Sequence, residues 1–448
     1  MTIRNKATKI RLLDFKTAPM RAFHMTWLAF FLCFFGWFGI APLMPVVREE
    51  LHLTKGQIGN IIIASVAITV LARLLFGWLC DRIGPRKSYA WLLILGSLPV
   101  MGIGFADNYL SFLMFRLAIG AIGASFVITQ YHTSVMFAPN VVGSANATAA
   151  GWGNLGGGVT QMVMPLLYSA LLGLGVGAWW GWRLAMIVPG AALLLTGIAY
   201  AILTKDTPDG DFRELRAEGR MSSRASASSA FWEACRDPRV WALFVIYGAC
   251  FGMELTIDNI AALYFVDYFQ MDLRTAGFLA GTFGTMNIFA RALGGIVSDR
   301  FGLRWGLRGR ALLLGATLGL EGLGLLLFSQ AKLLPLAVAA MLLTGLFLKM
   351  SNGATYAVVP FINKRALGAV AGIVGAGGNV GAVLAGFLFK SESITWPQAL
   401  FALGMVVTAS AALAIFVRFS EAEERTAREE LHARLSGQLV PSPAASGD

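Results

Sequence analysis

Charged residues are scarce in this chain of 448 residues. Asp, Glu, Lys and Arg together make up 14% of it, hydrophobic residues make up 56%, and the mean hydropathy is +0.66. A soluble protein of this length cannot bury so large an apolar fraction, so a soluble globular protein is excluded. About a dozen apolar runs of roughly 17 or more residues are long enough to cross a bilayer as helices. The composition therefore predicts an all-α membrane protein with many spans.

Cysteine is rare, and the motifs of catalysis are missing. The four cysteines show neither metal-binding spacing nor a pairing typical of a disulfide. The sequence also contains no nucleotide-binding loop, no cluster of metal ligands and no nucleophile constellation. These absences argue against a membrane enzyme, and we expect neither a metal nor a cofactor.

Basic residues are scarce in every second loop. The net charge of +11 is concentrated before the first apolar run, after the second, in a central polar segment and after the eighth. Cytoplasmic loops carry an excess of Lys and Arg, so this pattern predicts a multi-pass protein of the plasma (inner) membrane with both termini in the cytoplasm. The basicity thus orients the chain in a lipid bilayer and does not indicate a nucleic-acid partner.

The apolar runs divide the chain into two groups of six predicted helices. We expect an N-terminal tail (1–24), a six-helix half (25–203), a central loop (204–238), a second six-helix half (239–418) and a C-terminal tail (419–448). The predicted spans are 25–46, 58–79, 89–106, 109–137, 144–172, 183–203, 239–266, 275–298, 312–329, 334–361, 367–390 and 397–418.

Two motifs recur in both halves. The second span ends in "ARLLFGWLCDRIG" (72–84) and the eighth in "ARALGGIVSDRFG" (290–302), each with an arginine eight residues before an aspartate. The fifth span contains "GWGNLGGG" (151–158) and the eleventh "GAGGNVGA" (375–382). Duplicated halves are typical of transporters whose substrate site lies at the interface between the repeats.

Arg73 and Arg291 lie inside predicted spans, where a charge is costly. Neither predicted helix carries a carboxylate near its arginine. One interpretation is a snorkelling or structurally paired arginine. We favour a second, in which the two helices bring both arginines to a central anion, because a planar guanidinium matches a planar oxyanion.

The same motifs resemble those of a known superfamily. "DRIGPRK" (81–87) and its counterpart "DRFG" (299–302) are similar to the loop signature of the major facilitator superfamily. The resemblance implies that superfamily's fold, with twelve transmembrane helices in two pseudo-symmetric halves. It also implies a cytoplasmic gate, for which the candidate residues are Asp81, Arg82, Arg86, Asp299 and Arg300.

The glycine motifs narrow the resemblance. They are similar to the paired signatures of the nitrate/nitrite porter family, and "GMELTIDNIAALYF" (252–265) resembles its branch of eukaryotic-type, high-affinity, assimilatory nitrate importers. The resemblance covers essentially the whole chain. It implies secondary active transport of nitrate, with nitrite as a further candidate substrate.

Each glycine motif contains one asparagine, Asn154 or Asn379, after Gly153 or Gly378. Small residues let membrane helices pack closely, and packing alone is one explanation of the motifs. An asparagine amide in hydrocarbon is costly unless it is bonded, however. In the family these helices pass beside the substrate, so we expect all four residues at the site.

Family members flank the anion with two aromatic rings. By motif spacing these positions correspond to Phe126 and Tyr356, the second often phenylalanine in relatives. Nitrate is small and planar. Two guanidinium groups in its plane and two rings near its faces would form a slot into which tetrahedral anions fit poorly.

Carboxylates inside the seventh span suggest how uptake is driven. Glu254 and Asp258 are one helical turn apart and share a face, and intramembrane carboxylates are usually functional. Importing one anion against an inside-negative potential costs about 2.3 kcal/mol per 100 mV, so symport with protons or exchange for internal nitrite is needed. The carboxylates, with His132 as a weaker candidate, favour proton symport.

Other functions remain open at this point. A nitrate/nitrite antiporter needs the same site, and an exchanger of small carboxylates also needs central positive charge. A nitrate sensor would signal through the central loop or the tail, which look too short for an effector domain. We expect a monomer, and the sequence leaves open whether an accessory subunit is required.

Overall fold

The computed structural model describes residues 5–137, 141–218, 227–363 and 367–425. A few side chains inside the helices are also outside the described part, among them those of Asp81 and Asp299. In the described ranges the chain is helical and its only β-pairing consists of two isolated bridges, which confirms the all-α prediction.

Twelve helical traverses follow one another in two groups of six. Eleven helices in the described residues are long and apolar enough to cross a membrane. The remaining traverse, α8 (273–303), is a helix Leu273–Thr285, a 3-10 turn Met286–Ile288 and the start of the helix Ala290–Gln330. The other bounds are α1 Ala18–Glu50, α2 Lys55–Ile83, α3 Pro85–Phe105, α4 Tyr109–Met136, α5 Val142–Gly173, α6 Ala178–Leu203, α7 Pro238–Phe269, α9 Arg304–Gln330, α10 Leu334–Val358, α11 Leu367–Lys390 and α12 Trp396–Phe416.

The glycine motifs pack two pairs of helices at backbone distance. A Cβ atom added at Gly156 of α5 would lie 2.0 Å from the carbonyl oxygen of Phe31 in α1. A Cβ atom added at Gly381 of α11 would lie 2.1 Å from the carbonyl oxygen of Gly248 in α7. The α1–α5 and α7–α11 pairs therefore match each other, as expected of two halves with a common ancestor.

The turn after the second helix of each half needs a glycine. Gly84 has φ 91° and Gly306 has φ 68°, a region that side chains with a Cβ rarely adopt. The segment after the sixth helix of each half supplies a carboxylate to the helix that follows this glycine turn. Asp206 accepts from the Arg86 amide at 2.9 Å, and Glu424 accepts from two amides after Gly306 at 3.0 and 2.9 Å. These carboxylates cap α3 and α9.

The face of the bundle with the chain termini is the terminal face, and the opposite one is the distal face. At the distal face the halves are joined by an ion pair of Arg48 with Asp267 (2.5 Å), and the Lys55 ammonium donates to the carbonyl of Ile394. At the terminal face, the ion pairs in the described part of the chain stay within one half, as with Arg86 and Asp211. The halves are therefore held together mainly at the distal side.

Candidate functional site

Arg73 lies in α2, facing the second half. Its side chain is 8% exposed, Nη1 donates to the carbonyl of Gly375 in α11 at 3.1 Å, and Nε is 3.4 Å from the carbonyl oxygen of Gly123. Its Nη2 is buried without a hydrogen-bond partner. One edge of the guanidinium is thus anchored across the boundary between the halves, and the other retains donor capacity.

Arg291 of α8 is held in a similar way. It is also 8% exposed, its Nη2 donates to the Tyr247 hydroxyl at 3.0 Å, and its Nη1 has no partner. Both guanidinium groups lie within electrostatic range of the same two phenols, Tyr247 and Tyr356. The structure therefore brings the two predicted arginines to one place, and among the described residues neither forms an ion pair with a carboxylate.

Aromatic rings surround the arginines. The Phe126 ring centroid is 5.3 Å from the Arg73 guanidinium, and the Phe251 centroid is 5.7 Å from that of Arg291. Phe126 and Tyr356 meet edge to face with centroids 6.3 Å apart, so the predicted pair is in contact. Tyr247 continues this wall, 5.1 Å from Tyr356.

Asn154 and Asn379 are both buried, with exposures of 1% and 0%. Neither side-chain amide has a partner for its nitrogen or its oxygen. Buried polar groups without partners are uncommon in folded proteins and call for an explanation. A polar ligand that accepts hydrogen bonds would supply one.

Gly153 and Gly378 allow a ring to lie against each asparagine-bearing helix. A Cβ atom at Gly153 would lie 1.9 Å from the Phe30 ring, and one at Gly378 would lie 2.5 Å from the Phe251 ring. Phe30 in turn is 6.0 Å from Phe126 between ring centroids. The glycines therefore position the aromatic wall, which is a structural reason for their place in the motif.

Glu254 is enclosed by donors from two other helices. Its carboxylate accepts from Asn287 at 2.7 Å and Asn352 at 2.7 Å, and forms an ion pair with Lys349 at 3.0 Å. It is also within electrostatic range of Arg291. The helices of the arginines carry no nearby carboxylate, as the sequence indicates, but folding brings one from α7 towards Arg291.

Asp258 is 3% exposed and its Oδ1 has no partner. It is within electrostatic range of Lys349 and Glu254, so the structure brings the two predicted carboxylates together. His132 lies elsewhere. Its ring contacts the Tyr200 hydroxyl at 2.5 Å and the carbonyl of Lys205 at 2.8 Å, in the N-terminal half.

The predicted gate residues are only partly described. Arg86 donates to the carboxylate of Asp211 in the central loop, and Arg82 stacks over Trp78 with 4.8 Å to the ring centroid. Arg300 is exposed. The side chains of Asp81 and Asp299 lie outside the described residues, so their part in a gate stays a prediction.

Sequence reasoning missed four residues here. Tyr247 and Phe251 lie beside the arginines and are 1% and 2% exposed. Lys349 and Glu321 are fully buried, with 0% exposure. Lys349 and Glu321 are lone charges inside apolar runs, "LFLKMSNG" and "LGLEGLGL". This is the signal that identified Arg73, and it would have found them.

A profile of the family described as Major Facilitator Superfamily matches residues 26–362 and 259–445. With the twelve-helix fold, this match defines the class: the chain belongs to the major facilitator superfamily of membrane transporters and is not an enzyme. Its fold is similar to that of a bacterial homologue of the human lysosomal transporter Spinster in an inward-facing, unoccupied conformation. The TM-score is 0.66 at 16% identity, over 95% of this chain and all of the other.

Curated relatives define the branch. The chain is 42% identical over 389 residues to "High affinity nitrate transporter 2.5" of Arabidopsis thaliana, covering 87% of this chain and 77% of the relative. It is 40% identical to "High-affinity nitrate transporter 2.3" of Oryza sativa subsp. japonica, over 86% and 74%. "Nitrate/nitrite transporter NrtP" of Nostoc punctiforme is 28% identical over 81% and 85%. The chain belongs to the nitrate/nitrite porter family, which confirms the predicted resemblance.

Proposed function

We propose that this protein is a secondary active nitrate transporter that imports nitrate together with protons by alternating access. The two relatives with 42% and 40% identity are named high-affinity nitrate transporters, and a more distant one is named for nitrate and nitrite. Nitrite is therefore included as a second substrate.

One observation carries the site assignment. Arg73 Nη2, Arg291 Nη1 and the amides of Asn154 and Asn379 are all buried polar groups without partners. They lie on α2, α8, α5 and α11, the helices that pack against each other across the two halves. Leaving such groups unpaired costs about 1–3 kcal/mol each, more for charged ones. An anion with several acceptor oxygens would satisfy them, and it would supply negative charge to two guanidinium groups that no carboxylate pairs in the described chain.

The chemistry favours a small planar oxyanion. Guanidinium groups donate in a plane, while the rings of Phe126 and Tyr356 limit the space above and below it. A tetrahedral anion such as sulfate places oxygens out of that plane, against the rings. Nitrate presents three oxygens in one plane and is the better match.

The driving force supports proton coupling. An anion entering a cell against an inside-negative potential of 100 mV must gain about 2.3 kcal/mol from another source. With two protons per nitrate the cycle carries net positive charge inward. Glu254 and Asp258 are buried carboxylates beside the anion site, and we assign proton coupling to them.

The distribution of basic loops supports an orientation with the terminal face in the cytoplasm of a plasma (inner) membrane. In that orientation the contacts that join the halves at the distal face close the outer side. Opening the outer side would require the Arg48–Asp267 pair to separate. We assign this work to a single polypeptide acting as a monomer.

Uptake of labelled nitrate into proteoliposomes tests the proposal. One set carries an inward proton gradient with a negative interior, and another carries internal nitrite without a gradient. We expect gradient-driven uptake that falls at least about tenfold in Arg73→Lys and in Arg291→Lys, because a lysine cannot reproduce the guanidinium geometry. Arg213→Lys, an exposed arginine of the central loop, is the matched control.

The same assay separates the alternatives. Uptake that requires internal nitrite would identify an exchanger and leave the carboxylates with structural roles. Failure of nitrate uptake in both sets, or full activity in both arginine variants, would refute the proposed site.

A further inference from the structure

Four charged side chains form a buried network in the C-terminal half. Glu254 and Asp258 come from α7, Glu321 from α9 and Lys349 from α10, and each is at most 3% exposed. The anion site uses none of them directly. A network of three carboxylates and one ammonium group inside a membrane protein requires a physical account.

Glu254 is the satisfied member of this network. It receives two amide donors and the Lys349 ammonium, which gives its carboxylate three hydrogen bonds. Lys349 has the Phe283 ring on another side, with 4.1 Å from Nζ to the centroid. This ion pair neutralises one carboxylate and uses the only positive charge within the network.

Asp258 and Glu321 remain without such support. Asp258 Oδ1 and both oxygens of Glu321 are buried with no hydrogen-bond partner. The hydroxyl of Ser351 lies beside Glu321 but donates to the carbonyl of Phe347 at 2.8 Å. The nearby Lys349 ammonium is already paired with Glu254, so Asp258 and Glu321 have no counter-charge of their own. A buried carboxylate in that position cannot stay ionised cheaply, so it binds a proton.

The groups that face these two carboxylates are few. Lys349 and Glu254 are within electrostatic range of both, and the Cys250 thiol of α7 faces Glu321. Helix α12, which packs against α9, contributes no titratable side chain to this region. Three carboxylates and one lysine leave two negative charges uncompensated, which is the number of protons needed to make the network neutral.

We propose that Glu321 and Asp258 are two proton-binding sites, and that the Lys349–Glu254 pair is a fixed ion pair between them and Arg291. This assignment rests on the proposed proton-coupled function and revises one part of it, because Glu321 takes the place of Glu254 as the second proton-binding carboxylate. Two protons and one nitrate carry a net charge of +1 inward.

The ion pair explains how anion and proton binding promote each other. Nitrate at Arg291 cancels positive charge near Glu254 and makes the surroundings of the network more negative. A more negative environment strengthens proton binding by Asp258 and Glu321. By linkage, protonation of these carboxylates strengthens nitrate binding by the same factor.

The test compares Glu321→Gln with the wild-type protein in proteoliposomes. Glutamine imitates a permanently protonated carboxyl, so the variant should move one proton fewer with each nitrate. Its cycle then becomes electroneutral, and we expect nitrate uptake that still responds to a pH gradient but no longer to the membrane potential. Glu392→Gln, an exposed glutamate at the distal face, should keep the wild-type response to both.

Uptake by Glu321→Gln with wild-type dependence on the membrane potential would overturn the proposal. If that variant does not fold, proton uptake on nitrate binding is measured instead by calorimetry of detergent-solubilised Asp258→Asn in buffers of different ionisation enthalpy. We expect roughly one proton fewer per nitrate than in the wild type. An unchanged number would overturn the proposal as well.

The wild-type controls keep the two proposals apart. A wild type that binds no nitrate refutes the proposed function itself. A wild type that binds and transports nitrate without any response to proton gradients leaves the nitrate site standing and refutes the proton sites.

Discussion

The two halves of the molecule carry matching residues at the proposed anion site but differ in their buried charges. Phe30 of α1 and Phe251 of α7 occupy corresponding places, each against the glycine that precedes an asparagine. Three and seven residues after these phenylalanines, the N-terminal half has Cys33 and Trp37. The C-terminal half has Glu254 and Asp258 at the corresponding positions. Seven residues before the paired aromatic rings, Ile119 corresponds to Lys349. All of these side chains are buried.

This difference separates two tasks that a coupled transporter must perform. Each half supplies one arginine, one asparagine and one aromatic wall to the proposed anion site, which is therefore close to symmetric. Among the described residues, the charged network lies in the C-terminal half. Duplication accounts for the first, and charged residues at buried positions of one copy account for the second.

The largest effect should come from breaking the buried ion pair. Lys349→Met leaves Glu254 ionised without its counter-charge, and we expect a loss of about 3–5 kcal/mol in the free energy of unfolding. Adding Glu254→Gln should recover most of that loss, because no buried charge then remains unpaired. Thermal unfolding of the solubilised protein, followed by tryptophan fluorescence, measures both.

The corresponding change in the N-terminal half is the control. Ile119→Met exchanges similar apolar volumes and should cost less than about 1.5 kcal/mol. Equal stabilities of Lys349→Met and Ile119→Met would mean that the C-terminal half does not depend on a buried ion pair at Lys349.

The next effect tests the symmetric part of the comparison. Asn154→Leu and Asn379→Leu remove amides that have no partner in the unliganded protein. Each should raise the nitrate dissociation constant about 10- to 100-fold, as expected for losing a hydrogen bond to a charged group, and lower stability by less than about 1 kcal/mol. Thermal stabilisation by added nitrate measures the affinity.

Asn60→Leu is the matched control, because the amide of Asn60 already donates to the Tyr109 hydroxyl at 2.8 Å. It should lower stability and leave nitrate affinity unchanged. Retention of wild-type affinity in only one of the two motif variants would show that the halves contribute unequally to the site.

A smaller effect concerns the contact between the halves. Asp267→Asn removes the partner of Arg48 at the distal face, and partly exposed pairs of this kind contribute at most about 1 kcal/mol. The population open at that face should therefore rise by up to about fivefold. Distances between spin labels at Gly175 and Lys332 report it. Glu50→Gln, which loses a partner within one half, should leave those distances unchanged.

The smallest effect concerns Asp206, the carboxylate that caps α3. Burial raises the pKa of Asp206 from 3.8 to about 6, against the lowering effect of its two backbone donors. A raised pKa in the folded state means that the contribution of Asp206 to stability is complete below about pH 4 and is lost as pH rises through about 6.

The difference in Tm between the wild type and Asp206→Asn measures this contribution. It should fall between about pH 4 and 6 and stay constant above about pH 7, since asparagine does not titrate in this range. A difference that increases with pH would contradict the assignment.

Several features were predictable from the sequence because they depend on local pattern. Long apolar runs must become helices in a bilayer, since every backbone polar group has to be satisfied within its own segment. The repeated arginine and glycine motifs indicated two halves, and their positions within the spans indicated a shared depth. The family resemblance, carried by the same motifs, was confirmed by the comparisons.

Other features depended on contacts between helices distant in sequence. Nothing in the eighth span predicts that Glu254, from the seventh, lies within electrostatic range of Arg291. The pairing of Arg86 with Asp211 likewise depends on how the central loop folds back on α3. Such pairings follow from helix packing, which hydropathy and spacing do not specify.

The sequence by itself determined the helical membrane architecture, the duplication and the residues that contribute positive charge to the centre, because hydrophobicity and repeat spacing are properties of the chain. Only the tertiary structure decided which buried charges neutralise each other and which do not. Glu321 and Glu254 have the same covalent chemistry. In the packed bundle Glu254 is surrounded by donors and pairs with Lys349, whereas Glu321 has no partner among the described residues.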